Sequence, residues 1–109
     1  MNCPKCPNQT LVSREVRGIQ VDQCDRCGGI WCDPTELSKL LALADGEARR
    51  VAGGRADPAV NARAGKCPRD GKQMIRVASA RKREVIIETC PDCRGVWLDG
   101  GELKELLRA

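Results

Sequence analysis

Four pairs of side chains, seven cysteines and one aspartate, constrain this chain more than any other feature, and two residues separate the members of each pair. The first half reads C-x2-C-x17-C-x2-C, and the second half reads C-x2-D-x19-C-x2-C. This is the spacing of structural zinc sites, with one oxygen ligand replacing a sulfur in the second half. The sequence therefore predicts two Zn²⁺ ions. The predicted ligands are Cys3, Cys6, Cys24 and Cys27 in the first site and Cys67, Asp70, Cys90 and Cys93 in the second.

The two predicted sites differ in their fourth ligand. Four thiolates complete a tetrahedral zinc site and leave no position for water or substrate, so the first site is predicted to be structural. A carboxylate oxygen of Asp70 can bind zinc at about 2.0 to 2.2 Å, which predicts weaker or more labile binding in the second site. The alternative is that Asp70 only forms an Asp-Gly turn with Gly71.

A longer signature surrounds the second half of each site. Residues 24–37 and 90–103 share Cys, Cys, Gly, Trp, Asp, Glu and Leu in register, 66 positions apart. A signature repeated at a fixed spacing indicates a repeated structural unit. We therefore expect two tandem units of the same plan.

Composition favours metal over disulfides as the element that stabilises these units. The chain has 109 residues and eight cysteines, and it lacks Phe, Tyr and His. Such small units bury too little apolar surface to fold without a metal or disulfides. Residues 1–20 hold no apolar signal-peptide core, and no apolar run has transmembrane length. We therefore expect a cytoplasmic protein with reduced thiols and no membrane partner.

Short apolar runs predict one β-hairpin in each unit. In the first unit, apolar and polar residues alternate on either side of Arg17-Gly18, where the chain is expected to turn back towards Cys24. In the second unit, similar runs flank the basic segment 80–83. A hairpin carrying two metal-binding turns is the plan of a zinc ribbon.

A helix is predicted after each hairpin. Asp33 is expected to be the N-cap of a helix over roughly residues 34–44, with Glu36 completing a capping box. Asp99 is expected to cap the second helix in the same way, with Glu102 three residues later. Leucines at helical spacing form an apolar stripe on each helix. The stripes are Leu37, Leu40 and Leu41 in the first helix and Leu103, Leu106 and Leu107 in the second.

The predicted fold class is a small, metal-dominated α+β protein made of two zinc ribbons, each followed by a short helix. The predicted boundaries are 1–46 for the first unit and 66–109 for the second. Residues 47–65 are rich in Ala, Arg and Gly and are expected to form a flexible linker with a frayed helical start at 47–52. We expect the two units to be tethered rather than fused.

The complete pattern resembles the TFIIB-type transcription-factor zinc-finger family of small prokaryotic proteins. The residues that carry the resemblance are Cys67, Pro68, Asp70 and Gly71 together with 90–103. The first unit departs from the pattern at Asp25, Cys32 and Pro34-Thr35, none of which is a predicted ligand. The resemblance implies a zinc ribbon followed by a helix, and it supports zinc binding more than any activity.

Positive charge is concentrated in the middle of the chain. The formal net charge is +4, and seven thiolates with two Zn²⁺ would lower it to about +1. Residues 49–83, however, carry eleven Lys or Arg against two Asp. This band either contacts phosphates or forms a solvated, charged linker and hairpin tip. Its candidate nucleic-acid contacts are Arg76, Arg81, Lys82 and Arg83.

Several side chains have a structural and a functional interpretation. Trp31 and Trp97 could stack on bases, but their positions between a metal-binding turn and a helix favour core packing. Cys32 is interpreted as a small buried apolar residue rather than a reactive thiol. The spacing of the Asp and the Glu at each helix start fits a capping box rather than acid-base catalysis, so no enzyme and no small-molecule substrate are expected.

Three function classes remain open at this stage. The leading hypothesis is a non-enzymatic zinc protein that contacts DNA or an RNA polymerase-associated protein through the basic tip and linker. The alternative is a protein-interaction adaptor or homodimer in which the leucine stripes meet a partner or each other. The third class is redox or metal-handling chemistry at the cysteine pairs. The lack of a βαβ pattern disfavours a thioredoxin-like site, and the scarcity of aromatic residues disfavours a rubredoxin-like iron centre.

Overall fold

Both predicted hairpins and both predicted helices are present in the computed structural model, which describes residues 1–43 and 57–108. The prediction of a small α+β fold with zinc-ribbon hairpins is confirmed. Within the described residues the strands are β1 (Val12–Val16), β2 (Ile19–Gln23), β3 (Ile30–Cys32), β4 (Ile75–Ala78), β5 (Ile86–Thr89) and β6 (Val96–Leu98). The helices are α1 (Pro34–Ala42), α2 (Pro58–Asn61) and α3 (Glu102–Leu107).

The first hairpin turns at the predicted dipeptide. Val16 pairs with Ile19, so the loop contains two residues. Both adopt positive φ angles, 52° at Arg17 and 80° at Gly18. Two consecutive positive φ angles define the type I′ turn, whose twist matches that of the flanking strands. In the second hairpin the longer loop between β4 and β5 contains the basic segment 80–83.

The two units form one continuous antiparallel sheet, so the expectation that they are merely tethered is wrong. The strand order is β1-β2-β3-β6-β5-β4. At its centre β3 pairs with β6, and Trp31 lies opposite Trp97 in the register. Each central strand is only three residues long and fully buried. Because each unit leaves this strand edge unpaired, pairing the two edges satisfies the backbone groups of both.

The apolar faces of α1 and α3 meet in a shared core. Leu40, Leu103 and Leu106 are buried there, together with Val16, Val21, Ile30 and Leu98. The remaining stripe residues, Leu37, Leu41 and Leu107, are partly buried against the same cluster. The leucine stripes therefore pack inside the chain, which leaves little apolar surface on them for a partner.

The two helix starts differ despite their identical spacing. At α1 the predicted capping box is confirmed, because the Glu36 amide donates to Asp33 Oδ1 (2.7 Å) and the Asp33 amide donates to Glu36 Oε1 (3.0 Å). At α3 the N-cap is Gly101, with φ 86°, and no side chain caps the helix. The prediction that Asp99 caps this helix is therefore wrong. Its carboxylate has other partners, described below.

The predicted linker is described only from residue 57 onwards, and the predicted helical start at 47–52 lies outside the described residues. Asp57 Oδ1 accepts from the amides of Ala59 (3.0 Å) and Val60 (3.4 Å), which stabilises the start of α2. The Gly65 amide donates to Glu88 Oε1 at 2.7 Å. This part of the linker is thus held against β5. In the described part of the chain, no helix is long and apolar enough to cross a membrane.

Candidate metal centres

The first candidate site brings four thiols together from two turns that flank the first hairpin. Their Sγ atoms all lie within 4.8 Å of one another. The Sγ atoms of Cys3 and Cys27 are 3.8 Å apart, and zinc–sulfur bonds of about 2.3 Å in a tetrahedron place sulfurs about 3.8 Å apart. The donor set of Cys3, Cys6, Cys24 and Cys27 therefore fits a four-coordinate zinc ion.

The second candidate site combines three thiols with the carboxylate of Asp70, again within 4.8 Å of one another. Asp70 Oδ2 lies 3.3 Å from Cys90 Sγ, and the Sγ atoms of Cys67 and Cys93 are 3.6 Å apart. Asp70 Oδ1 accepts from the Lys72 amide at 2.9 Å. The turn and the ligand interpretations are therefore compatible, since one oxygen makes the turn while the other faces the thiols.

Backbone amides orient the sulfurs in both sites. In each metal-binding turn, the amide of the last residue donates to the Sγ of the first residue at 3.3 to 3.5 Å. Such bonds stabilise the thiolate form that binds metal. The donor–acceptor pairs are Cys6 to Cys3, Cys27 to Cys24, Asp70 to Cys67 and Cys93 to Cys90.

Without a cation, burial opposes ionisation of several thiols. It raises the pKa of Cys6 to about 11 and that of Cys67 to about 12. The pKa of Cys3 is raised because its thiol shares a hydrogen bond with Cys27, and the same bond lowers the pKa of Cys27 to about 5. Clustering four thiolates thus requires a positive ion, and metal binding must release protons.

Replacing Asp70 with Ala should lower the metal affinity of the second site by at least about tenfold, because one of four ligands is lost. Asp70→Asn is the matched control for the turn, since its amide oxygen can still accept from the Lys72 amide. Titration with cobalt(II), whose absorption distinguishes four-thiolate from three-thiolate coordination, reads the second site separately. Unaltered affinity in Asp70→Ala would remove Asp70 from the ligand set.

The two tryptophans pack in the core, as the sequence predicted. Trp31 is 1% exposed and Trp97 is 0% exposed. Each ring lies against a glycine of the other unit: a Cβ at Gly29 would come within 2.2 Å of Trp97 Cζ2, and one at Gly95 within 2.1 Å of Trp31 Cζ2. These glycines are therefore required by close approach, and the rings are inaccessible to bases.

Cys32 is also buried as predicted. It is 2% exposed and packs in the same apolar cluster as the leucines of α1 and α3. Burial raises its pKa to about 12, so near neutral pH it remains a protonated, unreactive thiol. The predicted burial of Cys32 is confirmed.

A buried ion cluster that sequence reasoning missed connects the two units. Lys5, in the first metal-binding turn, places Nζ 2.7 Å from Glu88 Oε2 and 3.1 Å from Asp99 Oδ2. It also donates to the carbonyl oxygens of Val60 (2.9 Å) and Arg63 (2.5 Å). The three charged side chains are 1–2% exposed. The first unit thus inserts its ammonium group between the second unit and the linker.

The two carboxylates of this cluster have further partners. Glu88 Oε1 accepts from the Gly65 amide (2.7 Å), and Asp99 Oδ1 accepts from Trp97 Nε1 (2.9 Å). Burial raises the pKa of Glu88, and its bond with Lys5 opposes that shift. The signal in the sequence was Glu88, a carboxylate that directly follows the apolar run 85–87. A carboxylate that is buried with such a run needs a cation.

A neighbouring carboxyl group, Glu102, is buried, and within residues 1–43 and 57–108 it forms no ion pair. Its Oε1 accepts from the Asp99 amide at 2.7 Å. Burial raises its pKa to about 8, and the charge of Asp99 contributes to this shift. Because the folded state holds this proton more tightly than the unfolded state, its contribution to stability is complete below about pH 4.5. It is lost as the pH rises through about 8.

Glu102→Gln should therefore become increasingly stabilising, relative to the unmodified protein, between pH 5 and pH 9. The amide mimics the protonated acid and retains an acceptor for the Asp99 amide. The difference in the free energy of unfolding should change by at least about 1.4 kcal/mol, equivalent to one pKa unit. Denaturant unfolding at both pH values, with excess zinc, measures it. Glu84→Gln, at an exposed carboxylate, is the control, and equal pH profiles would contradict the assignment.

The four basic residues singled out in the sequence do not have equal environments. Arg81 Nε donates to the Leu106 carbonyl oxygen at 2.7 Å, and Lys82 Nζ lies 3.3 Å from Glu105 Oε2. Arg76 and Arg83 are exposed and have no such partner among the described residues. The hairpin tip is thus fixed on α3, and Glu105 neutralises the charge of Lys82.

Two β-hairpins, the turns that flank them and two clusters of four candidate ligands together define a zinc-ribbon protein with two units. A family model described as Transcription factor zinc-finger matches residues 2–43 and 66–109. The chain belongs to this family, and the resemblance noted in the sequence is confirmed. No curated protein matches the chain, and no solved structure does.

Proposed function

We propose that the chain is a non-enzymatic protein with two structural zinc ions. One ion is held by Cys3, Cys6, Cys24 and Cys27 and the other by Cys67, Asp70, Cys90 and Cys93. The single observation that carries this proposal is the convergence of each set of donor atoms to within 4.8 Å. With four protein ligands on each metal, neither site keeps a position for substrate, so the metals serve folding rather than catalysis.

We further propose that this scaffold binds DNA through phosphate contacts from the second hairpin. The support is electrostatic: Arg76 and Arg83 are exposed, and Arg81 donates to a neutral carbonyl oxygen. Lys82 contributes less because Glu105 pairs with it. Contacts of this kind give salt-dependent binding without base readout.

The adaptor hypothesis through leucine stripes receives less support, since Leu40, Leu103 and Leu106 are buried in the chain's own core. A contact with an acidic, RNA polymerase-associated protein would use the same basic surface as DNA. It becomes the favoured partner if DNA does not bind.

Measuring binding to a generic DNA duplex across a salt series tests the DNA proposal. Arg76→Glu with Arg83→Glu should weaken binding and lower the slope of log K against log salt by about 2, since each lost phosphate contact contributes about 0.9. The matched control reverses two exposed charges outside the basic band, Arg17→Glu with Lys39→Glu. No binding at low salt, or equal slopes in both variants, would contradict the proposal.

A further inference from the structure

Both candidate metal sites belong to one packed cluster rather than to two separate cores. Its fully buried members come from both units and include thiols of both sites and both tryptophans. They are Cys3, Leu11, Cys24, Trp31, Cys67, Met74, Cys90 and Trp97, with Cys6, Cys27 and Cys93 packed against them. If one site becomes disordered, the side chains that pack against the other site therefore lose part of their packing.

Each tryptophan packs on the backbone that closes the other unit's metal-binding turn. The Gly29 carbonyl accepts from the Cys24 amide and the Gly95 carbonyl accepts from the Cys90 amide, both at 3.0 Å. These are the glycines that lie against Trp97 and Trp31, respectively. A turn that loses its metal and its fixed shape thus removes the surface on which the opposite tryptophan packs.

Lys5 makes a second connection, directly from a metal-binding turn. Its amide donates to Cys3 Sγ at 3.4 Å, while its ammonium group lies between Glu88 and Asp99 of the second unit. The position of this ammonium depends on the ordered turn around the first site. The two carboxylates that contact this ammonium group are positioned by β5, which carries Glu88, and by the segment after β6, which carries Asp99.

We propose that the two zinc ions bind cooperatively, with each occupied site raising the affinity of the other. This inference rests on the proposed zinc sites. Part of the free energy of metal binding drives the folding of the turn that the metal closes. The first ion then orders packing surfaces and ion partners that the second unit needs, so the second ion has less chain to order. By thermodynamic linkage the effect is equal in both directions.

Two single-ligand variants measure the coupling. Cys93→Ser disables the second site and Cys6→Ser disables the first, and each leaves the ligands of the other site intact. Cobalt(II) titration of the remaining site should show its affinity lowered by about tenfold or more in each variant, relative to that site in the intact protein. Unchanged affinities in both variants would overturn the proposal, whereas an intact protein that binds no metal would overturn the zinc sites themselves.

A measurement on the unmodified chain covers the case in which a ligand variant does not fold. Native mass spectrometry at one zinc ion per chain should show mainly metal-free and two-zinc protein. Independent sites of equal affinity would give about half of the chains one ion, and sites of unequal affinity would give more. A one-zinc fraction below half requires cooperative binding, whereas a one-zinc fraction that Lys5→Met leaves unchanged would contradict the proposed coupling. Lys5→Met should increase the one-zinc species, and Lys39→Met, at an exposed lysine of α1, should not.

Discussion

Lys5→Met is expected to lower the free energy of unfolding by about 3 to 5 kcal/mol, the usual cost of breaking a buried ion pair by removing one partner. The substitution keeps an unbranched apolar stem but leaves the carboxylates of Glu88 and Asp99 without their cation. Both side chains are almost fully buried, so water cannot replace the ammonium group. Denaturant unfolding at saturating zinc measures the effect.

Lys72→Met is the control for this loss. Lys72 pairs with Asp92 at the surface, and the two side chains are 60% and 48% exposed. Exposed pairs contribute between about 0 and 1 kcal/mol, so this variant should unfold nearly as the unmodified protein does. If the two lysine variants lost similar stability, the buried cluster would not connect the units as described.

Removal of zinc by a chelator should unfold the whole chain rather than one unit. The central cluster is built from thiols of both sites around two tryptophans, and the single sheet crosses from one unit to the other. Without the metals, too little apolar surface remains to offset chain entropy. The tryptophan fluorescence should shift to the red and the near-ultraviolet circular dichroism should disappear in one transition.

Two controls accompany the chelation experiment. Restoring excess zinc should recover the native spectra, and the chelator already saturated with zinc should leave them unchanged. Native spectra after complete removal of metal would show that the core is stable without it. Two separate transitions would show that the units fold independently.

The two clusters of candidate metal ligands could be predicted from the sequence because their information is local. Two ligands separated by two residues belong to one turn, and the hairpin between the turns brings them together. The same holds for α1, where Asp33 and Glu36 act within four residues of each other. Local spacing therefore predicted the ligand clusters, the hairpins and one of the two helix starts.

The joining of the units was not predictable in this way, because it depends on contacts between distant segments. Strands β3 and β6 are three residues long and carry no signal that they pair with each other. Lys5 and Arg69 occupy equivalent places in their turns, but their environments differ. The Lys5 ammonium group is buried between two carboxylates, whereas Arg69 Cζ lies 6.0 Å from the ring centre of Trp31.

Asp99 shows why identical spacing can conceal different roles. Glu102 Oε1 still accepts from the Asp99 amide, so half of the capping box is present. The Asp99 carboxylate instead accepts from Trp97 Nε1 and Lys5 Nζ. A charged partner from the other unit thus displaced a local backbone donor, since hydrogen bonds between charged groups are the stronger ones.

Counting zinc in the purified, unmodified chain by native mass spectrometry, alongside elemental analysis, tests the central claim most directly. Two zinc ions per chain are expected, with the thiols reduced. Their release on acidification should accompany loss of structure, because thiolates must be protonated as metal leaves. A folded chain that carries no zinc, or one whose cysteines are joined as disulfides, would contradict the claim that two metal ions hold this fold together.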